Sequence, residues 1–276
     1  MSWFSQLLRD KIAVLCLIII ATIIVVGVFA PHLAPMDPNK VRIAKKYAEI
    51  SSAYPLGADH LGRCILSRLI YGIRTTLFLS LLTMAITILI GSFIGLLSGY
   101  FRGKVDEVIM RICDVMLSFP SQVMILAIVG VLGVGIVNVV LANIIVKWAW
   151  YTRMIRSIVI KYSQKNYVLF SRATGASAGF IIRRHLIPNA LSEIIVLATL
   201  DTGWVILNIS ALSFLGLGVQ APTAEWGTML SEAQKVMTTH PMQMVAPGLA
   251  ILIVVASFNL LGDCLRDILD PKERSL

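Results

Sequence analysis

Residues Tyr167–Asn189 read YVLFSRATGASAGFIIRRHLIPN. The stretch lies between two long apolar segments and carries Arg172, Arg183 and Arg184. It is too charged to cross a membrane and too patterned for a random loop. Phe180–Leu186 (FIIRRHL) alternates an apolar side with a basic side, as a short amphipathic helix does. Gly175 inside a helical pattern costs about 1 kcal/mol relative to Ala, so it marks a turn between two short helices. Pro188 closes the stretch. The result is a compact basic knob. It serves either as a docking element for a partner protein or as an ordinary basic loop that holds membrane orientation.

Composition decides what the knob is attached to. The chain has 276 residues, 57% hydrophobic and 14% charged, with a mean hydropathy of +0.83. A soluble domain is about a quarter charged, so this is an integral membrane protein. A net charge of +9 would point to nucleic acid in a soluble protein. In a membrane protein it reflects basic loops at the cytoplasmic leaflet, and no nucleic-acid partner is expected. The four cysteines are scattered without a CxxC, which indicates neither a disulfide framework nor a zinc site.

Outward from the knob, apolar runs predict six membrane spans. Ile12–Phe29 follows Arg9 and Lys11, is longer than a signal-peptide core and lacks a clear cleavage site, so it reads as a retained first helix. His32–Arg74 is a long polar excursion with several prolines, expected outside. Thr75–Leu97 is an uncharged second span in which Gly91, Gly95 and Gly99 form a small-residue stripe for helix packing. Val105–Gly133 reads as one helix kinked at Pro120, with Arg111 placed to pair with Glu107 and Asp114. Ile136–Ile160 follows, with Lys147 near its centre; a lysine there must face protein or water. Ala190–Gly218 and Met244–Leu261 complete the set. Six spans place both termini and the knob in the cytoplasm. The expected divisions are 1–31 for the N-terminus and first helix, 32–74 for the outer loop, 75–271 for a five-helix core including the knob at 163–189, and 272–276 for a tail.

The spacing from Gly175 to Pro188, ending His185-Leu186-Ile187-Pro188, resembles the coupling loop of ABC-importer permeases. That loop is usually written Glu-Ala-Ala, three residues, Gly, nine residues, Ile-x-Leu-Pro. Leu169-Phe170-Ser171 stand where Glu-Ala-Ala would be. Leu56–Arg68 resembles the Leu-Gly-Thr-Asp-x-x-Gly-Arg-Asp segment of peptide and nickel importer permeases, with Cys64 in place of the last Asp. Leu212-Ser213-Phe214-Leu215-Gly216-Leu217-Gly218 and Ala221–Gly227 are similar to the same family. The resemblance runs in order from about Leu56 to Pro271. It implies an all-α membrane protein with the type I ABC-importer permease fold, in a bacterial inner membrane. It also implies a second permease of the same fold, two cytoplasmic ATPases and an extracytoplasmic substrate-binding protein. Ser171, Arg172, Gly175, Ala176, Arg183, Arg184, His185 and Pro188 would then couple to the ATPase.

No GxxxxGK[ST], HExxH or GxSxG occurs, so a non-catalytic subunit is expected. ATP and magnesium belong to the partner ATPases, and this chain needs no cofactor of its own. Asp201, Trp204 and Asn208 share one helix face, which forms either a clasp between helices or a lining of the translocation path. Asp201 reads as a lone charge attracting a cation. Peptide-importing relatives commonly carry Glu where Ile209 stands, and the Trp148-Ala149-Trp150-Tyr151 cluster looks more like the nickel-importing branch. Nickel, free or chelated, is the expected cargo, with di- or oligopeptides or another metal complex as the alternative. His60 and Cys64, at a four-residue spacing in the outer segment, are weak candidates for a transient metal contact.

Overall fold

The structure, a computed structural model, describes residues 6–269. The expected tail at 272–276 lies outside them. The named elements are α1 Lys11–Val28, α2 Ala30–Leu33, α3 Ile65–Ile73, α4 Leu79–Phe101, α5 Gly103–Ser118, α6 Ser121–Leu132, α7 Ile136–Ser163, α8 Asn166–Ala173, α9 Ala178–Ile181, α10 Ile187–Phe214, α11 Trp226–Ala233 and α12 Met242–Leu269. No strand occurs among the described residues.

Helices α3 and α4 are one run, joined by a π turn at Arg74–Phe78. The run therefore starts ten residues earlier than Thr75, and the end of the expected outer loop is helical. At 37 residues it is roughly 55 Å long, well beyond a hydrocarbon core of about 30 Å. Arg74, expected as an outer basic residue, instead donates to the Gly27 and Val28 carbonyls at 2.8 Å each. These are orphan acceptors at the C-terminal end of α1.

Pro188 does not end the knob. A π turn at Ile182–Leu186 carries α9 straight into α10, giving a second 37-residue run, Ala178–Phe214. Proline has no N–H for the carbonyl four residues back, and a π turn is one way to absorb that missing bond. Pro120 has the opposite outcome. Helices α5 and α6 meet at 87°, so the expected single kinked helix is two. Asp114 pairs with Arg153 of α7, and Asp106 with Arg156 of the same helix. The expected Arg111–Asp114 pairing is thus replaced by ion pairs across helices.

Among the described residues, four helical runs are long and apolar enough to cross a membrane, and the bent α5–α6 pair makes a fifth if counted as one. The expected six are not all met on length and composition. The missing one is α7, whose 28 residues suffice in length but include Lys147, Arg153, Arg156 and Lys161. It is nevertheless central. The Gly91, Gly95 and Gly99 stripe of α4 lies directly on it: a Cβ on Gly95 would sit 2.7 Å from the Thr152 carbonyl oxygen, and one on Gly91 2.4 Å from Tyr151 Cβ.

Two large apolar cores form among the described residues. One gathers α1, α3, α11 and α12, the other α6, α7 and the knob, and α10 feeds both through Ile206 and Ile209. Large side chains stay exposed on the outer faces, such as Leu89, Phe93 and Val137, as expected for surfaces that meet lipid or another membrane subunit.

The 215–225 string folds back onto the π turn of the α3–α4 run, at the end of the bundle opposite the knob. Glu225 is fully buried there. Its carboxylate accepts from Thr76 Oγ1 at 3.0 Å, Ser210 Oγ at 3.3 Å and the Thr228 N–H at 2.8 Å. Burial pushes this carboxyl up from its ordinary value, against the pull of those donors. The folded state therefore holds the proton more tightly than the unfolded chain. Stability contributed at this position falls as pH rises out of the ordinary carboxylate range. Glu225→Gln should flatten that slope in the thermal unfolding of the assembled complex. Glu225→Ala, which strands three donors, should cost about 1–3 kcal/mol more than Gln.

Candidate functional site

The middle of the bundle is built from α7 and α10. Lys147 Nζ lies 2.8 Å from Asp201 Oδ2 and 3.0 Å from Oδ1. Tyr151, one turn along α7, donates its hydroxyl to the same carboxylate. The ammonium stands 3.5 Å from the centroid of the Trp204 ring and 5.7 Å from that of Trp150. A cation over indole faces gains a further attraction when water is scarce. The charged side chains are mostly but not wholly covered, 15% and 17% exposed.

Asp201 is therefore not the lone charge expected. It is half of an ion pair, and its field on a distant cation is largely cancelled by Lys147. Trp204 joins it, as the shared helix face predicts. Asn208 is buried two turns on, and neither end of its amide has a partner among the described residues. Lys147 and Asp201 were each legible as charges inside apolar runs. Pairing them across 54 residues required knowing that α7 and α10 are neighbours.

The knob is built around His185. Its Nε2 lies 2.9 Å from Ser171 Oγ, and its ring packs against Tyr167 and Phe180. These contacts tie α8 to the π turn. Gly175 sits between α8 and α9 at φ +82°, a left-handed turn that favours glycine. Ser177 then caps α9 through the Phe180 N–H. Arg172 lies over the Tyr100 ring. Arg183, Arg184, Phe170 and Phe180 are all exposed, so the knob offers both apolar and basic surface.

At the opposite end, His60 and Cys64 are in a turned segment, not on a helix. Cys64 is buried with Tyr54 and Ala58, apart from His60. His60 instead approaches Asp59 and Glu232, close enough for the three to share one ion. Both carboxylates are already engaged: Arg63 reaches Asp59 at 2.5 Å and Glu232 at 2.7 Å, and Arg68 reaches Glu232 at 3.3 Å. Two arginines balancing two acids form a finished ion-pair network, which disfavours an added cation.

Long apolar helices, with a largely covered charged pair between two of the helices and a basic knob, define a helical membrane protein. The chain belongs to the family of binding-protein-dependent transport system inner membrane components, whose pattern matches residues 88–275. Residues 2–51 match the N-terminal transmembrane domain of oligopeptide transport permease C. The chain is 48% identical over 268 residues to the metal-staphylopine import system permease protein CntC of Staphylococcus aureus, covering 97% of this chain and 93% of that protein. It is 42% identical over 257 residues to the nickel transport system permease protein NikC of Escherichia coli, covering 93% of each. It is 39% identical over 272 residues to the dipeptide transport system permease protein DppC of Alkalihalophilus pseudofirmus, covering 99% and 90%. The protein is thus a multi-pass inner-membrane permease of an ABC importer, similar to metal-importing and peptide-importing relatives alike.

Proposed function

We propose that this permease forms half of the translocation path of an importer for nickel, free or chelated. The observation that carries the reading is 48% identity over nearly the whole chain to a metal-complex permease. In this reading α7 is the sixth span, both termini and the knob are cytoplasmic, and the fold is that of a type I importer. A second permease completes the path, two ATPases that use ATP and magnesium drive it, and an extracytoplasmic protein delivers the cargo. This chain binds no cofactor. Closure of the ATPase pair pulls on the knob, and the long α9–α10 run transmits the movement toward Asp201 as a rigid body. Di- or oligopeptides are the second reading, favoured by the 39% identity to a dipeptide permease. Uptake by the whole reconstituted complex, with radiolabelled nickel, a nickel chelate and dipeptides in competition, separates them. Peptide uptake with no nickel uptake in either form would refute the metal reading.

The knob supplies its own test. A Cβ at Gly175 meets nothing within 4 Å, yet its φ is +82°. Gly175→Trp therefore disturbs the docking surface and its local turn, not the core. The expected variant inserts and assembles, while its ATP hydrolysis no longer drives uptake. Wild-type uptake by that variant would rule out docking at this turn.

A further inference from the structure

Between the charged pair and the knob, α7, α10 and the end of α12 form an open-sided cavity of about 790 Å³. Ser157, Lys161 and Tyr162 of α7 line it, facing Ser192 and Glu193 of α10 and Arg266 of α12. Two side-chain rows lead into it. Lys147, Tyr151, Met154, Ile158 and Lys161 follow one another at three- and four-residue steps on α7. Asp201, Leu197, Glu193 and Asn189 do so at four-residue steps on α10. Each row is one helix face, so the Lys147–Asp201 pair lies on the same two helix faces as the cavity, beyond its lining.

Its size and chemistry are informative. A hexahydrated cation fills on the order of 200 Å³, six waters at about 30 Å³ each. Pockets for organic ligands run about 300–1,000 Å³. The walls carry both charge signs. Glu193 accepts from Lys161 Nζ at 3.0 Å and from the Tyr162 hydroxyl at 2.9 Å, and Arg266 adds a second cation. The Lys161–Glu193 pair is far more open than Lys147–Asp201, at 56% and 34% exposed. An exposed pair holds weakly, so a solute that offers both a carboxylate and a cationic centre can take the place of each partner.

We infer that this cavity is a second cargo site, the last before release at the knob end. It takes a zwitterionic organic solute, a metal chelate or a short peptide, rather than a bare cation. The inference rests on the proposed path through α7 and α10.

The test uses the complete importer in lipid nanodiscs. Cys16, Cys64, Cys113 and Cys264 are replaced by Ala, and Ser157→Cys or Ser192→Cys is added, keeping only variants that retain uptake. Maleimide labelling is followed with nickel nitrilotriacetate, trialanine or nickel chloride present. Whichever organic probe the importer carries should slow labelling about tenfold at ten times its dissociation constant. Glu193→Gln should raise the concentration needed by about tenfold. Nickel chloride should leave the rate unchanged. No protection by either organic probe at concentrations that saturate uptake overturns the site. Equal protection by nickel chloride overturns its selectivity for an organic body. Repeating the labelling in the double variant Asp201→Asn/Lys147→Met, which strands neither charge and so keeps assembly, separates the two readings. Protection that persists there supports the cavity even if that variant's uptake proves normal and Asp201 leaves the path.

Discussion

Gly95→Leu is expected to abolish recovery of the assembled importer. A Cβ at Gly95 would lie 2.7 Å from the Thr152 carbonyl oxygen and 3.1 Å from the Arg156 backbone nitrogen. Both are backbone atoms of α7, which no rotamer change can move. Leucine adds three more carbons, so α4 and α7 must separate along their length. Separation also strains the Asp106–Arg156 pair, one of two ion pairs that hold α5 to α7. Overpacking alone costs about 1–3 kcal/mol, and forcing backbones apart adds to it. That is a large share of a total stability of about 5–15 kcal/mol. Gly95→Ala should destabilise as well, although Ala gains about 1 kcal/mol in helix propensity over Gly. Gly130 is the control, because a Cβ there meets nothing within 4 Å. Gly130→Ala should match the wild type in yield and thermal midpoint on detergent gel filtration. A fully assembled Gly95→Leu complex of normal midpoint would show that α4 and α7 are not in the contact described.

The glycine stripe shows what the sequence discloses readily. A small-residue repeat within an apolar run carries its own packing instruction, and no distant residue is needed to read it. The turn at Gly175 is legible for the same reason, whereas the cap at Ser177 emerges only in the structure. Other features depended on neighbours that spacing cannot name. Arg74 reads as a basic loop residue until α1 is seen to end beside it. Pro188 reads as a terminator because its missing N–H is evident, whereas the π turn that absorbs the defect lies in residues with no special composition. Pro120, with the same defect, ends a helix. Helix α7 reads as a span by length, yet its charges are tolerated through partners on α5 and α10. Glu225 resembles any polar loop residue until Thr76 and Ser210, 149 and 15 positions away, converge on it.

The Lys147–Asp201 pair has the other large expected effect, and three variants resolve its role. Asp201→Asn leaves the Lys147 ammonium among tryptophans without a counter-charge, and Lys147→Met leaves the carboxylate with Tyr151 alone. Removing one partner of a buried pair costs about 3–5 kcal/mol, so each single variant should lose assembled complex. The double variant Asp201→Asn/Lys147→Met removes both charges together and keeps much of the volume. It should recover most of the assembly, because neither charge is stranded. Uptake per assembled complex is then the deciding quantity. A pair that only clasps α7 to α10 predicts wild-type uptake in the double variant. A pair that lines the path predicts uptake at least about tenfold lower, since losing a charge-assisted contact to the passing cargo costs about 1.5–3 kcal/mol. We expect the second outcome. Trp150 and Trp204 hold the ammonium by weak attraction, and both charged groups keep some exposure, so the pair can open when a cargo supplies replacement charges. Because the pair is neutral as a whole, a bare dication gains little by displacing Lys147 alone. A cargo carrying its own carboxylates can engage Lys147 and Asp201 at once. Normal uptake per complex in the double variant would reduce the pair to a clasp and remove Asp201 from the mechanism.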